Sequence, residues 1–233
     1  LATSTTVNRG EYLAMIGLVT TDQGPNAEFV EAFRVAMGGV DVQLVGALDG
    51  LSLDEIDALA AHPSPYPIQT ILADGSTRDI DLSLLAPLVD AGAREMVERG
   101  AGAIAVACAG NFPDIDCGVP VFYPGRLLAG IASAIAANRR IGVVSPIESQ
   151  MESARKNWER DGFSVAMTYA SAFKRDEFET AARVMSDPAL ELVVLDCMDH
   201  TAADRDEFAR LCGRPVLAAL PLTAQVASEI MGG

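Results

Sequence analysis

Four cysteines dominate the side chains of this sequence that could do chemistry near neutral pH, and their spacing sorts them into two kinds. Cys108 ends the apolar run Ala103-Ile-Ala-Val-Ala-Cys108, and Cys197 ends Leu192-Val-Val-Leu-Asp-Cys197. Cys117 and Cys212 each open a Cys-Gly-x-Pro-Val segment that leads into the next apolar run. The two stretches therefore form an internal repeat of strand, Cys, loop, Cys-Gly-x-Pro, strand and helix, which predicts two related halves. Cys117 and Cys212 read as small apolar residues of the scaffold, since a free cysteine packs like a hydrophobe. Cys108 and Cys197 read as a pair of thiols on opposite sides of one ligand.

Two opposed thiols suit one reaction in particular. Inverting a carbon stereocentre without a cofactor requires one group to take a proton from one face while another delivers a proton to the other. A free thiol ionises at pH ~8.5, so modest tuning leaves one cysteine as thiolate and its partner as thiol. The resulting carbanion needs donors. Gly110 and Asn111 follow the first cysteine and offer an accessible backbone N–H and an amide; Asp199, His200 and Thr201 follow the second. His200 reads either as a group that tunes Cys197 or binds substrate, or as a surface histidine at a helix start. Asp199 reads either as a titratable group of the site or as a helix N-cap. Thr20, Thr21, Asp22 and Gln23 follow the first strand at the same edge and are candidate substrate ligands, although a simple turn uses the same residue types. Arg126 is the best candidate for an arginine clamp, its alternative being a solvated helix residue.

The elements that must position these groups alternate. Tyr12 to Val19 reads as a buried strand, a helix runs from Pro25 to Met37, and Val40 to Leu48 is the next strand. Ser52-Leu-Asp-Glu55 has capping-box spacing and opens a short helix to Ala61. Ile68 to Leu72 and Thr77 to Leu82, around the turn Asp74-Gly75, form an inserted antiparallel hairpin. Helix Ser83 to Arg99, strand Ala103 to Ala107, strand Val121 to Tyr123, helix Arg126 to Asn138 and strand Ile141 to Ser145 follow. Helix Glu148 to Arg160, strand Phe163 to Thr168, helix Arg175 to Met185 and strand Leu192 to Leu195 continue the rhythm. Thr201 to Leu211, Val216 to Ala219 and Thr223 to Met231 complete it as helix, strand and helix. The expected class is α/β: two pseudo-symmetric lobes, each a mainly parallel sheet flanked by helices, with the active site in the cleft between them. The lobes divide as 1–124 plus 220–233, and 125–219.

Composition excludes much else. Against 17 Lys and Arg stand 32 Asp and Glu, a net charge of -15, which argues against nucleic acid because phosphate binding requires clustered cations. Two histidines, His62 and His200, and the absence of a Cys-x-x-Cys pair argue against a metal centre. No apolar run reaches the ~18 residues of a membrane span, and Leu1 to Gly10 has no apolar leader core, so a cytoplasmic protein with free thiols is expected. No cofactor motif is present, and the expected partner is a small carboxylate-containing substrate, with a homodimer possible.

A strand ending in Cys, a second strand-Cys roughly 90 positions later and two related halves resemble the aspartate/glutamate/hydantoin racemase superfamily. Within it, Ile16-Gly-Leu-Val-Thr20, Leu51-Ser-Leu-Asp-Glu-Ile56, Thr70-Ile-Leu-Ala-Asp-Gly75, Ile141-Gly-Val-Val-Ser-Pro146 and Val194-Leu-Asp-Cys197-Met are similar to the AroM family. The resemblance implies an interlobe active site, a small carboxylate substrate and Cys108 and Cys197 as the catalytic pair. Amino-acid racemases of the superfamily follow the first cysteine with Asn-Thr and the second with Thr, whereas Ala109-Gly110 and Met198 stand here. The leading expectation is a cofactor-independent racemase or epimerase. Isomerisation of an unsaturated diacid, cysteine-dependent decarboxylation and non-catalytic binding of a small molecule are the alternatives.

Overall fold

In the computed structural model, residues 15–232 are described; the expected strand start at Tyr12–Ala14 lies outside them. The first half runs β1 (Met15–Thr20), α1 (Ala27–Met37), β2 (Asp41–Gly46), α2 (Leu53–Ala60), β3 (Pro67–Ile71), β4 (Thr77–Asp81), α3 (Leu82–Glu98), β5 (Ala103–Val106), β6 (Val121–Phe122) and α4 (Pro124–Ile135). The second runs β7 (Arg140–Ser145), a short 3-10 turn at Glu148–Gln150, α5 (Met151–Arg160), β8 (Ser164–Tyr169), α6 (Arg175–Val184), β9 (Leu192–Leu195), α7 (Ala202–Cys212), β10 (Val216–Ala218) and α8 (Ala219–Met231).

The fold is α/β, with two four-stranded parallel sheets ordered β2-β1-β5-β6 and β8-β7-β9-β10 and an antiparallel pair β3-β4. The two orders are the same once β7, β8, β9 and β10 are set against β1, β2, β5 and β6. In both, the first strand lies inside and the third ends in the loop that carries a cysteine. The central strands β1, β5 and β9 are buried on both faces, which is why they read as unbroken apolar runs.

Local signals set most boundaries. Ser52 and Glu55 form the capping box of α2 as its spacing predicts, and Gly75 takes φ 82° in the hairpin turn. Two helices begin earlier than expected because proline is harmless there: Pro124 is the first residue of α4 and Pro221 lies in the first turn of α8, where its missing N–H has no helical partner to lose. Asp81 caps α3, so the hairpin runs straight into that helix without a loop.

One apolar cluster joins the halves. It runs from Ile16, Leu18 and Phe33 through Leu128 to Ile141, Val143 and Val194, and closes with Leu220, Ala224 and Met231 of α8. α8 leaves the second sheet and packs on α1 and α4. No helix among the described residues is long and apolar enough to cross a membrane.

Candidate active site

In both sheets the strands deliver their carboxyl ends to one cleft. Thr21 and Asp22 come from the end of β1, and Ala107 to Gly110 from β5. Ser145 ends β7, Ser171 follows β8, and Asp196 to Asp199 follow β9. The hairpin supplies Ile68, Gln69 and Ile71, and Tyr66 just before it completes the wall. The cavity is about 80 Å³. At roughly 10 to 15 Å³ per water centre it takes a ligand of the bulk of about five to eight waters, a small acid, amide or ring and not a nucleotide.

Both thiols face this cavity and both are free. The Gly110 N–H points at Cys108 Sγ over 3.4 Å, and the Cys197 thiol donates to Asp199 Oδ2 over 3.3 Å. Burial pushes the Cys108 thiol up to about 12, only partly offset by the Gly110 N–H, with the charges of Asp22, Asp196 and Asp199 raising it further. Burial raises Cys197 well above its ordinary value, and neighbouring Asp199 raises it again. Neither cysteine is tuned by a histidine or a cation. Each thiol has a backbone N–H close by, that of Gly110 at Cys108 and that of Asp199 at Cys197, but only Cys197 is bonded to a carboxylate, which makes Cys108 the more easily ionised.

Three carboxyls surround the pair. Burial lifts both Asp196 and Asp199 to about 6; the Trp158 indole N–H, 2.9 Å away, restrains Asp196, and the Cys197 thiol restrains Asp199. Burial also raises Asp22, whose Oδ1 accepts the Ile71 N–H at 2.8 Å and so anchors the hairpin. Tyr66 Oη accepts from the Asn111 N–H (3.3 Å) and from Asn157 Nδ2 (3.0 Å), tying a loop of the first half to α5 of the second. Burial holds its phenol protonated. Both protein contacts use the phenol oxygen as acceptor, which leaves its O–H to donate. Opposite, Ser145 Oγ is buried with no hydrogen-bond partner.

A family model described as AroM protein matches residues 16–231. The chain belongs to the AroM family. Solved structures of similar fold include a decarboxylase, an isomerase and a racemase. Arylmalonate decarboxylase is 15% identical with a TM-score of 0.59 over 94% of this chain and 93% of that one. Maleate isomerase from Pseudomonas putida S16 is 13% identical at 0.62, over 94% and 92%. Glutamate racemase from Aquifex pyrophilus is 14% identical at 0.56, over 93% and 83%. No curated protein sequence matches the chain.

In this AroM-family chain the residues singled out from sequence separate. Cys108, Cys197, Thr21, Gly110 and Asp199 line the cleft. Asp199 is not the cap of α7; Thr201 is, in a capping box with Asp204, which leaves Asp199 to Cys197. Thr20 is buried and donates its hydroxyl to Asp22 at 2.8 Å. Gln23 spends its side chain on Leu51 O and the Ala73 N–H, each at 3.2 Å, so it holds loops together. Asn111 lines a smaller neighbouring hollow beyond Tyr66. Arg126 lines that hollow too, paired with Asp114 at 2.5 Å and stacked on Tyr123, and is no clamp for the main cavity. Cys117 and Cys212 sit in apolar surroundings. No cluster of three His, Cys, Asp or Glu side chains among the described residues is arranged to hold a metal ion.

His200 is neither a surface cap nor a cleft residue. It is fully buried beside Phe178, both ring nitrogens lack partners, and burial lowers its pKa to about 4. Two unpaired buried nitrogens cost ~1–3 kcal/mol, so His200→Leu should raise stability at pH 7.5 by about 1 to 2 kcal/mol. In the unfolded chain the imidazole takes a proton near pH 6.5 and in the fold only near 4, so the wild type loses stability as pH falls between those values. The leucine variant lacks that loss. Urea unfolding at pH 7.5 and pH 5 should show its advantage growing on acidification; a constant or shrinking gap would mean the imidazole is hydrated or paired.

Gly125 fixes the Cys108 loop. A Cβ there would stand 2.4 Å from the Ala109 carbonyl oxygen, so α4 rests on that loop only because residue 125 has no side chain. Gly125→Ala should cost about 1 to 3 kcal/mol through overpacking. It should also lower turnover of any substrate needing Cys108 by roughly a hundredfold, since a shift near 1 Å is that expensive for a reacting group. Unchanged turnover in a folded variant would show that the loop position is immaterial.

Proposed function

We propose that this AroM-family protein is a cofactor-independent racemase or epimerase, acting at an acidic carbon next to a carboxylate or carbonyl. The reaction takes place between lobes 1–124 plus 220–233 and 125–219. The observation that carries this reading is the meeting of Cys108 and Cys197 at equivalent strand ends of two sheets of the same order, facing one small cavity. Cys108 rests as the thiol and first gives its proton to solvent as substrate enters; the small thiolate fraction so formed, supported by the Gly110 N–H, takes the proton from carbon. The C–H electron pair moves onto the adjacent carbonyl oxygen. Cys197, whose S–H is held by Asp199, returns a proton to the opposite face, and the electron pair flows back to reform the carbonyl. Cys108 ends protonated and Cys197 ends as thiolate, ready for the reverse reaction; exchange with Asp199 and solvent resets the pair.

The enolate oxygen needs N–H donors. The backbone N–H groups of Ala109 and Met198, each next to a cysteine, donate to no acceptor among the described residues. The test is turnover in heavy water. Racemisation requires one solvent deuteron at the stereocentre of inverted product with no other change of mass. Release of carbon dioxide or a moved double bond would replace this reading with the decarboxylase or isomerase one.

A further inference from the structure

A second concave surface shares no lining residue with the cleft. α1 and α8 pack on each other and turn Phe29, Phe33 and Met37 of the one and Ala224, Ala227 and Met231 of the other into the core. The next stripe round each helix is left open. Ala32, Val35 and Ala36 of α1, with Leu220, Pro221 and Ala224 of α8, line a groove of about 950 Å³ that also takes in Thr201–Ala203 at the start of α7. Val35 is 76% exposed, and Ile230 beside the lining residue Glu229 is exposed as well. Glu28 and Glu31 stand on the α1 bank and Glu229 on the α8 bank. No Lys, Arg or His lines the groove among the described residues.

We propose that this groove docks an amphipathic helix of another protein, with its apolar face on Val35, Ala32 and Ala224 and its flanking Lys or Arg residues against Glu28, Glu31 and Glu229. Size, shape and charge select that occupant. A helix is about 10 Å across and rises about 1.5 Å per residue, so the groove holds about two turns of one. The small side chains Ala32, Ala36 and Ala224 let its backbone come close. A small apolar ligand is the poorer fit, because the groove is open along one side and such ligands need roughly 70–90% of their surface buried. A second copy of this chain is the wrong complement. A twofold contact sets the same patch on both sides, so Glu28, Glu31 and Glu229 would meet themselves, between chains that each carry a net charge of -15. A basic partner helix turns the same carboxylates into attraction. Thr201–Ala203 follow the Cys197–His200 loop directly, so the docked helix rests beside the segment that carries one of the two cleft thiols.

Fluorescence anisotropy of labelled synthetic peptides with the full chain at 0.15 M salt tests this. The first peptide is a helix of leucine and lysine with the leucines on one face. The second has the same residues in an order that scatters the leucines, and the third carries glutamate in place of each lysine. The first should bind tenfold or more tighter than either of the others. Val35→Lys and the pair Glu28→Lys/Glu31→Lys alter only exposed side chains, so the fold is kept, and each should weaken the first peptide by about tenfold. Equal binding of the scattered peptide would trace the attraction to overall charge and overturns the proposal. Equal binding of the acidic peptide, unchanged affinity in both variants, or no binding of the first peptide at 0.1 mM overturns it too. Sedimentation of the chain alone gives the remaining outcome. A dimer that Val35→Lys dissociates assigns the groove to a second copy and overturns the proposal; a monomer, or a dimer that the substitution leaves intact, keeps the groove free for its partner and supports it.

Discussion

Cys108→Ser and Cys197→Ser should each lower stereoinversion by about a thousandfold, within the usual range for removing a positioned acid or base, while a slow one-sided exchange survives. A serine hydroxyl keeps the size and hydrogen bonds of the thiol but ionises far above any working pH, so it can neither take nor give the proton at a useful rate. In Cys108→Ser the remaining thiol still reaches one face of the carbon. Deuterium from solvent should then enter one enantiomer of the substrate without inverting it, and the Cys197→Ser variant should label the opposite enantiomer. Chiral separation followed by mass measurement reads both quantities at once. Inversion at wild-type rate in either variant would remove that cysteine from the chemistry. The asymmetry of the site adds a direction: Cys108, supported by the Gly110 N–H, should be the base for the faster-exchanging enantiomer.

The second large effect is on stability. Asp196→Asn should make the protein more stable at pH 8 and leave it nearly unchanged at pH 4. Burial raises this carboxyl from 3.8 to about 6 in the fold. A carboxyl whose folded pKa lies above its unfolded value binds more protons when folded between the two, so stability is lost as pH rises from about 4 to 6 and stays lost above. At ~1.4 kcal/mol per pH unit the full shift amounts to about 3 kcal/mol. Cleft water screens the partly exposed group, so on the order of 2 kcal/mol is the expected gain. Asparagine keeps an acceptor oxygen for the Trp158 N–H. Thermal unfolding at pH 4, 6 and 8 checks the slope as well as the gain. A variant equally or less stable at pH 8 would mean that Asp196 has a compensating partner.

Much of this was legible from short-range chemistry. The capping box at Ser52, the hairpin at Asp74-Gly75 and the two strand-Cys ends depend on residues within a few positions of one another. What escaped depends on contacts between distant segments. Tyr66 stands 45 residues from Asn111 and 91 from Asn157, its two hydrogen-bond partners, and nothing local shows that the hairpin behind it walls the cleft. The sign available was Pro65-Tyr66-Pro67, an aromatic held between two prolines and so placed at low entropic cost. Asp196 was in view within Leu-Asp-Cys197, but its burial against Trp158 comes from α5. His200 was illegible for the same reason: a histidine before a helix is usually solvated, and here it is fully buried with Phe178 of α6 packed beside it.

The route of the last helix has a consequence for how the chain comes to be folded. α8 is made some 180 residues after α1, yet it lies on α1 and α4 and completes the cluster that includes Ile16 and Phe33. During synthesis the first sheet therefore waits, with one apolar flank uncovered, until residues 219–231 leave the ribosome. Closing a loop that spans nearly the whole chain adds little to the entropy cost, which grows only with the logarithm of length, but it delays the step that seals the core. Until then the uncovered flank is a surface for chaperones or for other nascent chains.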